Sequence, residues 1–187
     1  KLHGPKGIGL LVYDSKLTLN PQLHGGKQQF GVRAGTLPVP LIMAFAKVVE
    51  LATARQQETE KYLLKLHTYL IEGLKKLDFL VLINSSSDDF HCPSIVNFSI
   101  PPVEGEVMLH HMEKQEIFVG MGSACSAYSK EPSKILMGIG LTEEQARCSL
   151  RISFSQNNNF DEIDSFLRAL KSSYEVLLSF FLKGTAD

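Results

Sequence analysis

The chain has 187 residues, of which 44% are hydrophobic, and its 19 basic and 20 acidic residues leave a formal net charge of −1. A chain of this size can bury the core of one domain, or of one domain and part of another. The balanced charge argues against binding to nucleic acid or anionic lipid, and no apolar stretch approaches the roughly 20 residues of a transmembrane helix. We therefore expect a soluble globular protein with no nucleic-acid or membrane partner.

The number and spacing of the cysteines indicate the cellular compartment of the protein and argue against a disulfide framework or a zinc site. Cys92, Cys125 and Cys148 are an odd number without close pairs, which disfavours a disulfide framework and favours reduced thiols inside a cell. The cysteines and histidines also lack the paired short spacings of zinc ligands, so we expect no metal site. These patterns predict a cytoplasmic protein, with an organelle as the alternative.

The first part of the chain is predicted to contain a strand, a long loop and a helix. Residues 8–13 are a short apolar run after a Gly-Pro turn and indicate a strand. Residues 14–40 are rich in Gly, Pro and Gln without regular periodicity, which indicates a functional loop. Apolar residues then recur at helical spacing, at Leu41, Phe45, Val48, Val49 and Ala52.

The rest of the chain is predicted to alternate helices with short strands. A second helix reaches Leu77 after a boundary near residues 56–60, and a third covers residues 104–114. Thr142 with Gln145, and Asn159 with Glu162, are capping patterns that open two later helices. Strands are predicted at residues 79–83, 94–100, 117–119 and 149–155. This order predicts a short mixed sheet covered by helices on one face.

The last predicted strand alternates strictly between apolar and polar residues. Leu150, Ile152 and Phe154 are expected to face the core, which places Arg151 on the opposite face with the serines. A guanidinium there could bind a carboxylate through two parallel hydrogen bonds, or it could pair with a surface acid. Both interpretations stay open from the residues alone.

Cys125 lies in the run Gly122-Ser123-Ala124-Cys125-Ser126, where almost nothing can pack. Such a stretch predicts a mobile loop with an exposed thiol. Nearby positive charge or a helix N-terminus, predicted to begin at residues 131–133, would favour the nucleophilic thiolate. A surface cysteine without a chemical role is an equally good interpretation.

Two further segments offer a candidate Schiff-base lysine and a candidate phosphate ligand, and both signals are weak. Lys1 and Lys6 flank a Gly-Pro loop, and a desolvated lysine can form a Schiff base, although most loop lysines are merely solvated. Thr36 follows Arg33 and Gly35 and offers a hydroxyl beside a cation, which suits a phosphate oxygen. The same residues also make ordinary turns.

Taken together, six segments in the same order resemble segments of the cysteine desulfurases, which are enzymes that depend on pyridoxal 5'-phosphate. The segments are residues 1–9, 24–26, 33–38, 103–106, 122–125 and 149–153. The resemblance implies fold type I of the pyridoxal-phosphate enzymes, the class V aminotransferase branch. This is an α/β fold that forms a homodimer, with a large cofactor domain and a smaller α+β domain. We expect residues 1–57 to end the large domain with its connecting helix, and residues 58–187 to form the small domain.

The resemblance also implies roles for single residues. Lys1 matches the lysine that forms the Schiff base with pyridoxal phosphate, and Thr36 matches a residue that reaches the cofactor phosphate of the neighbouring subunit. Arg151 matches the ligand of the substrate carboxylate. Cys125 matches the sulfur acceptor, and Lys6 is then a structural loop residue.

The implied reaction removes sulfur from L-cysteine, releases L-alanine and leaves a persulfide on Cys125. A sulfur-acceptor or iron-sulfur scaffold protein then takes that sulfur for iron-sulfur cluster or thio-cofactor assembly. Because family elements upstream of Lys1 are absent, we expect this chain to be the C-terminal part of a longer enzyme and to be inactive alone. Two alternatives remain: a selenocysteine lyase, and a non-catalytic domain for dimerisation or partner binding.

Overall fold

A computed structural model of the chain describes residues 2–85, 92–121 and 132–184, with side chains as far as residue 180. The chain divides into two compact units, Lys1–Gln57 and Glu58–Asp187. In the described ranges, none of the helices has the length and apolar character needed to cross a membrane.

The first unit is mostly irregular chain followed by one helix. A single 3₁₀ turn at Gln29–Gly31 interrupts the loop, and helix α1 spans Val39–Ala54. Proline in the first turn of α1 costs no hydrogen bond, because the N–H groups there have no partner in the helix. The predicted apolar stripe is confirmed, since it forms the half-buried face of the helix.

The predicted strand at residues 8–13 is wrong. This segment is irregular, and Leu10, Leu11 and Val12 are 70%, 69% and 83% exposed. A strand needs a neighbour for its N–H and C=O groups, and residues 2–57 contain no strand that could supply one. The apolar run therefore has strand-like composition without strand structure.

The described part of the second unit contains the remaining regular elements. Helix α2 begins at the unit boundary and is followed by two strands, three helices, a third strand and a long final helix. In chain order these are α2 (Gln56–Lys75), β1 (Leu82–Ile83), β2 (Ile95–Ser99), α3 (Gly105–Glu113), α4 (Lys134–Gly138), α5 (Glu143–Arg147), β3 (Ser149–Ser153) and α6 (Phe160–Gly184).

The three strands form one antiparallel sheet in the order β1-β2-β3. On one face, Val96 lies opposite Ile152 and Phe98 lies opposite Leu150. On the other face, Asn97 lies opposite Arg151. The alternation predicted for residues 149–155 is therefore confirmed over Ser149–Ser153, where apolar and polar residues lie on opposite faces, but the strand ends two residues earlier than predicted.

The core lies between the apolar face of the sheet and helices α2, α3 and α6. Phe98 and Phe166 meet edge to face with ring centroids 6.3 Å apart, a favourable arrangement for aromatic rings. The helices contribute buried apolar residues at helical spacing, so their stripes pack on the sheet. These are Leu66, Leu70, Leu74, Met108, Met112, Ile163, Phe166, Ala169, Leu170 and Tyr174.

Both predicted capping patterns are confirmed. The Thr142 hydroxyl accepts the N–H of Gln145 at 3.2 Å, and the Gln145 side chain accepts the N–H of Thr142 at 3.0 Å. Asn159 and Glu162 exchange the same pair of bonds, each at 3.0 Å, at the start of α6. These pairs satisfy N–H groups that the first turn of a helix leaves without partners.

Two strand predictions need correction. Residues 79–83 form a strand only at Leu82–Ile83, and residues 117–119 form none. In the second case the chain reaches the free edge of β3 only at Gly120, which pairs with Arg151 as an isolated bridge. A single bridge cannot hold three residues in a ladder.

Candidate functional site

Two of the four predicted site residues, Lys1 and Cys125, lie outside the described residues, as does the run 122–131 that contains Cys125. Thr36 lies in the first unit and Arg151 in the second.

Strand β3 places Arg151 on the face of the sheet away from the core. Its neighbour Leu150 is fully buried, whereas Arg151 is half-buried. A half-buried guanidinium still presents some of its N–H groups to a ligand. The sheet beneath it has a low dielectric constant, which strengthens the attraction between the guanidinium and a negative charge. Such a group is well suited to hold a carboxylate.

Gly120 flanks Arg151 at the free edge of the sheet. Its N–H donates to the Arg151 carbonyl at 2.9 Å, and the Arg151 N–H donates to the Gly120 carbonyl at 2.6 Å. On the other edge of β3, Arg151 pairs with Asn97. The backbone of Arg151 is thus fixed between two neighbours.

A polar network covers the same face of the sheet as Arg151. The Asn84 amide donates to Asn97 Oδ1 at 2.8 Å and to Ser99 Oγ at 2.7 Å. Ser99 Oγ in turn donates to the Gln145 carbonyl at 2.7 Å, which links the sheet to α5. Because these buried or half-buried polar groups have partners, the face around Asn97 is polar and held in one arrangement.

Thr36 lies on an exposed turn in the first unit. Gly35 has φ +111°, a conformation that favours glycine, and its N–H donates to Gln28 Oε1 at 3.2 Å. The Arg33 guanidinium folds back over this turn, and its Nη1 donates to the Ala34 carbonyl at 2.8 Å. The Thr36 hydroxyl bonds to no other described residue, so a hydroxyl and a cation are both available to an anion.

The two described cysteines have opposite surroundings. Cys148 is 3% exposed, and burial, followed by the negative charges of Glu144 and Glu104, raises the pKa of its thiol to about 11. This thiol stays protonated at neutral pH and is a poor nucleophile. Cys92 is exposed, with Sγ 3.1 Å from Ser94 Oγ.

The histidines of α3 have structural partners. His110 Nδ1 lies 3.0 Å from Glu113 Oε2, and His111 Nδ1 lies 3.0 Å from the buried Ser173 Oγ. Across the described part of the chain, no three His, Cys, Asp or Glu side chains come together as a metal-binding group.

Two glycines have roles that the sequence patterns did not reveal. Gly120 leaves room for the Arg151 side chain, and Gly105, the first residue of α3, lies against the backbone carbonyls of Ser149 and Arg147. The signal available was limited to a glycine beside a predicted strand and a glycine at a predicted helix start. Neither signal reveals that Arg151 lies close to Gly120, or that Ser149 and Arg147 lie close to Gly105.

Comparisons with known proteins agree with the resemblance. The family described as aminotransferase class-V matches residues 1–166. "Cysteine desulfurase IscS" of Clostridium botulinum (strain Kyoto / Type A2) is 36% identical over 171 residues, which cover 91% of this chain and 43% of the relative. The protein of the same name from Vibrio vulnificus (strain CMCP6) is 35% identical over 179 residues, which cover 95% of this chain and 43% of the relative.

A solved structure titled "NIFS-LIKE PROTEIN" superposes with a TM-score of 0.79 at 28% identity, covering 96% of this chain and 44% of that one. The predicted fold class and the resemblance to cysteine desulfurases are thereby confirmed. The chain spans about two fifths of the length of these relatives.

Proposed function

Because the chain belongs to the aminotransferase class-V family, we propose that the protein containing it is a cysteine desulfurase. The observation that supports this proposal most strongly is 36% identity to a protein named cysteine desulfurase over 91% of this chain. The proposal concerns the whole protein, since this chain covers 43% of such a relative. The products are L-alanine and a persulfide on Cys125.

The two compact units correspond, in this proposal, to parts of two domains. Lys1–Gln57 is the end of the large cofactor domain with its connecting helix, and Glu58–Asp187 is the small domain. The first unit would then contribute Lys1 and Thr36 to the cofactor site. The second would contribute Arg151 as the ligand of the substrate carboxylate and Cys125 as the sulfur acceptor.

The residues of the first unit fit pyridoxal 5'-phosphate in their chemistry. The Thr36 hydroxyl and the adjacent Arg33 guanidinium suit a phosphate oxygen, and Gly35 keeps the turn that presents them open. Thr36 would hold the phosphate of the neighbouring subunit, which makes the protein a homodimer. When bound, the cofactor acts as an electron sink for the substrate carbon, and Lys1 would move the α-proton.

The substrate is L-cysteine, oriented by its carboxylate on the Arg151 guanidinium. The Cys125 thiolate attacks the substrate sulfur and forms the S–S bond. The electron pair of the substrate Cβ–S bond stays with carbon, which takes up a proton to give L-alanine. Cys125 keeps the transferred sulfur as a persulfide.

The persulfide is delivered to a sulfur-acceptor or iron-sulfur scaffold protein, for cluster or thio-cofactor assembly. Such chemistry needs reduced thiols, so we place the protein in the cytoplasm or in a reducing organelle. The free thiols of Cys92 and Cys148 support this assignment.

The test compares two cysteine variants of the intact protein. Cys125→Ala is expected to abolish alanine release and persulfide formation from L-cysteine while the unfolding temperature stays unchanged. Cys92→Ala, which removes an exposed thiol, is the matched control and should retain both activities. Alanine release and persulfide are measured together, the latter by alkylation and mass spectrometry.

Two results would contradict the proposal. Sulfur transfer at the normal rate in Cys125→Ala would favour a non-catalytic role for this domain. Turnover of L-selenocysteine without turnover of L-cysteine would instead assign the protein as a selenocysteine lyase.

A further inference from the structure

The side chain of Arg151 has a defined neighbour at the sheet edge. A Cβ built on Gly120 would lie 3.1 Å from Nη2 and 3.4 Å from Nε of Arg151. The guanidinium therefore lies directly over the Cα of Gly120. At 3.1 Å an added methyl group is tighter than ordinary contact, so one of the two groups would have to move.

The guanidinium is the group that would move. The backbones of Gly120 and Arg151 are joined by two hydrogen bonds of 2.9 and 2.6 Å, whereas Nη2 is the far end of a flexible side chain. Moving it is easier than moving either backbone. It does change the plane and direction of the N–H donors, on which a two-point carboxylate contact depends.

We propose that Gly120 is a positioning residue, whose missing side chain sets where the Arg151 guanidinium meets the carboxylate of the amino-acid substrate. This inference rests on the proposed function, which gives Arg151 the substrate carboxylate. In this proposal Gly120 acts through Arg151, whose guanidinium atoms are the nearest that a Cβ at Gly120 would meet.

The experiment uses Gly120→Ala in the intact holoenzyme. The KM for L-cysteine should rise by about fivefold to tenfold while kcat changes by less than about twofold, because the contact holds substrate and transition state alike. Circular dichroism and the unfolding temperature should match the wild type. A purely structural role would alter these instead.

Ligand binding gives a readout independent of turnover. In calorimetric titration, L-alanine should bind Gly120→Ala more weakly than the wild type by the same factor as the rise in KM. Ethylamine, which is L-alanine with its carboxylate replaced by hydrogen, should bind both proteins equally. This difference separates a carboxylate effect from a general loosening of the site.

Gly138→Ala is the matched control, because a Cβ built there meets no heavy atom within 4 Å. It should leave the KM unchanged. Arg151→Lys tests the proposed function separately: an unchanged KM in this variant would remove the carboxylate role of Arg151 itself.

The inference is overturned, with the proposed function intact, if Arg151→Lys raises the KM and Gly120→Ala does not. An equal weakening of L-alanine and ethylamine would overturn it as well. Loss of folding in Gly120→Ala would also contradict it, since only the guanidinium is required to move.

Discussion

The two units differ in what their apolar side chains do. In the described part of the second unit, fifteen apolar residues form a continuous buried core between the sheet and α2, α3 and α6. In residues 2–57 no side chain is buried, and Met43 of α1 is 66% exposed although the helix is rich in apolar residues. Similar composition thus gives a self-contained core in one unit and an exposed apolar surface in the other.

The difference shows what an apolar pattern can predict. The spacing of apolar residues predicts which side of a helix is apolar, but it does not predict which other element packs against that side. The stripe of α1 has the same helical period as that of α6, and only the latter is matched by an apolar sheet face within its own unit. Stability of the second unit should therefore depend on its own side chains. Within this chain alone, stability should be insensitive to many apolar residues of the first unit.

The largest effect is expected from two matched phenylalanine truncations. Phe98→Ala removes a fully buried ring from the core and should lower the free energy of unfolding by about 3–5 kcal/mol. In this chain, Phe30→Ala removes a ring that is 100% exposed and should change the free energy of unfolding by less than about 0.5 kcal/mol. Urea unfolding of both variants checks this. Equal losses would show that the units do not differ as described.

A smaller effect is expected at Gly105, where the second unit packs backbone against backbone. A Cβ in Gly105→Ala would collide with the Ser149 carbonyl oxygen and lie 3.2 Å from that of Arg147. Neither oxygen is at the end of a flexible side chain, so the expected loss is about 1–3 kcal/mol. Thermal unfolding against Gly138→Ala measures it. Wild-type stability in Gly105→Ala would mean that α3 shifts freely relative to β3.

The smallest effect is a pH dependence caused by burial of Cys148 in the second unit. The folded-state pKa of this thiol is about 11, above its ordinary value of 9.0, so the folded state keeps a proton that the unfolded state loses. Its stabilising contribution is complete below about pH 9 and is lost as the pH rises towards 11. Between pH 8 and 10 the loss is about 1 kcal/mol.

The control for this pH dependence is Cys148→Ala. This variant lacks the thiol, so the part of the loss in unfolding free energy that the thiol causes between pH 8 and 10 should be absent from it. Urea midpoints at several pH values measure it for both proteins. A wild-type curve parallel to that of Cys148→Ala would show that the thiol is hydrated in the folded state.

The sequence predicted those elements whose determinants are local. The capping pairs at Thr142 and Asn159 defined the starts of α5 and α6, because each pair needs only residues three apart. The strand predicted at residues 8–13 is absent, because a strand needs a partner strand and the composition of a segment does not reveal one. The prediction at residues 117–119 failed because this segment meets the edge of β3 only at Gly120.

In the candidate site, too, the features set by local sequence were predicted and the contacts between distant residues were not. Strict alternation placed Arg151 on the polar face of β3, where it lies. The approach of Gly120, the Asn84–Asn97–Ser99 network and the packing of Gly105 are contacts between distant parts of the chain. No local pattern encodes them. The predicted roles of Lys1, Thr36, Arg151 and Cys125 remain predictions that the cysteine and arginine variants test.

The bridge between Gly120 and Arg151 also sets a tether length. Cys125 follows Gly120 by five residues, and five extended residues span at most about 18 Å. If Cys125 receives sulfur beside the Arg151 guanidinium, as proposed, it cannot deliver that sulfur beyond this reach. A sulfur-acceptor protein would then have to bring its own receiving atom within that radius by docking directly against this end of the sheet.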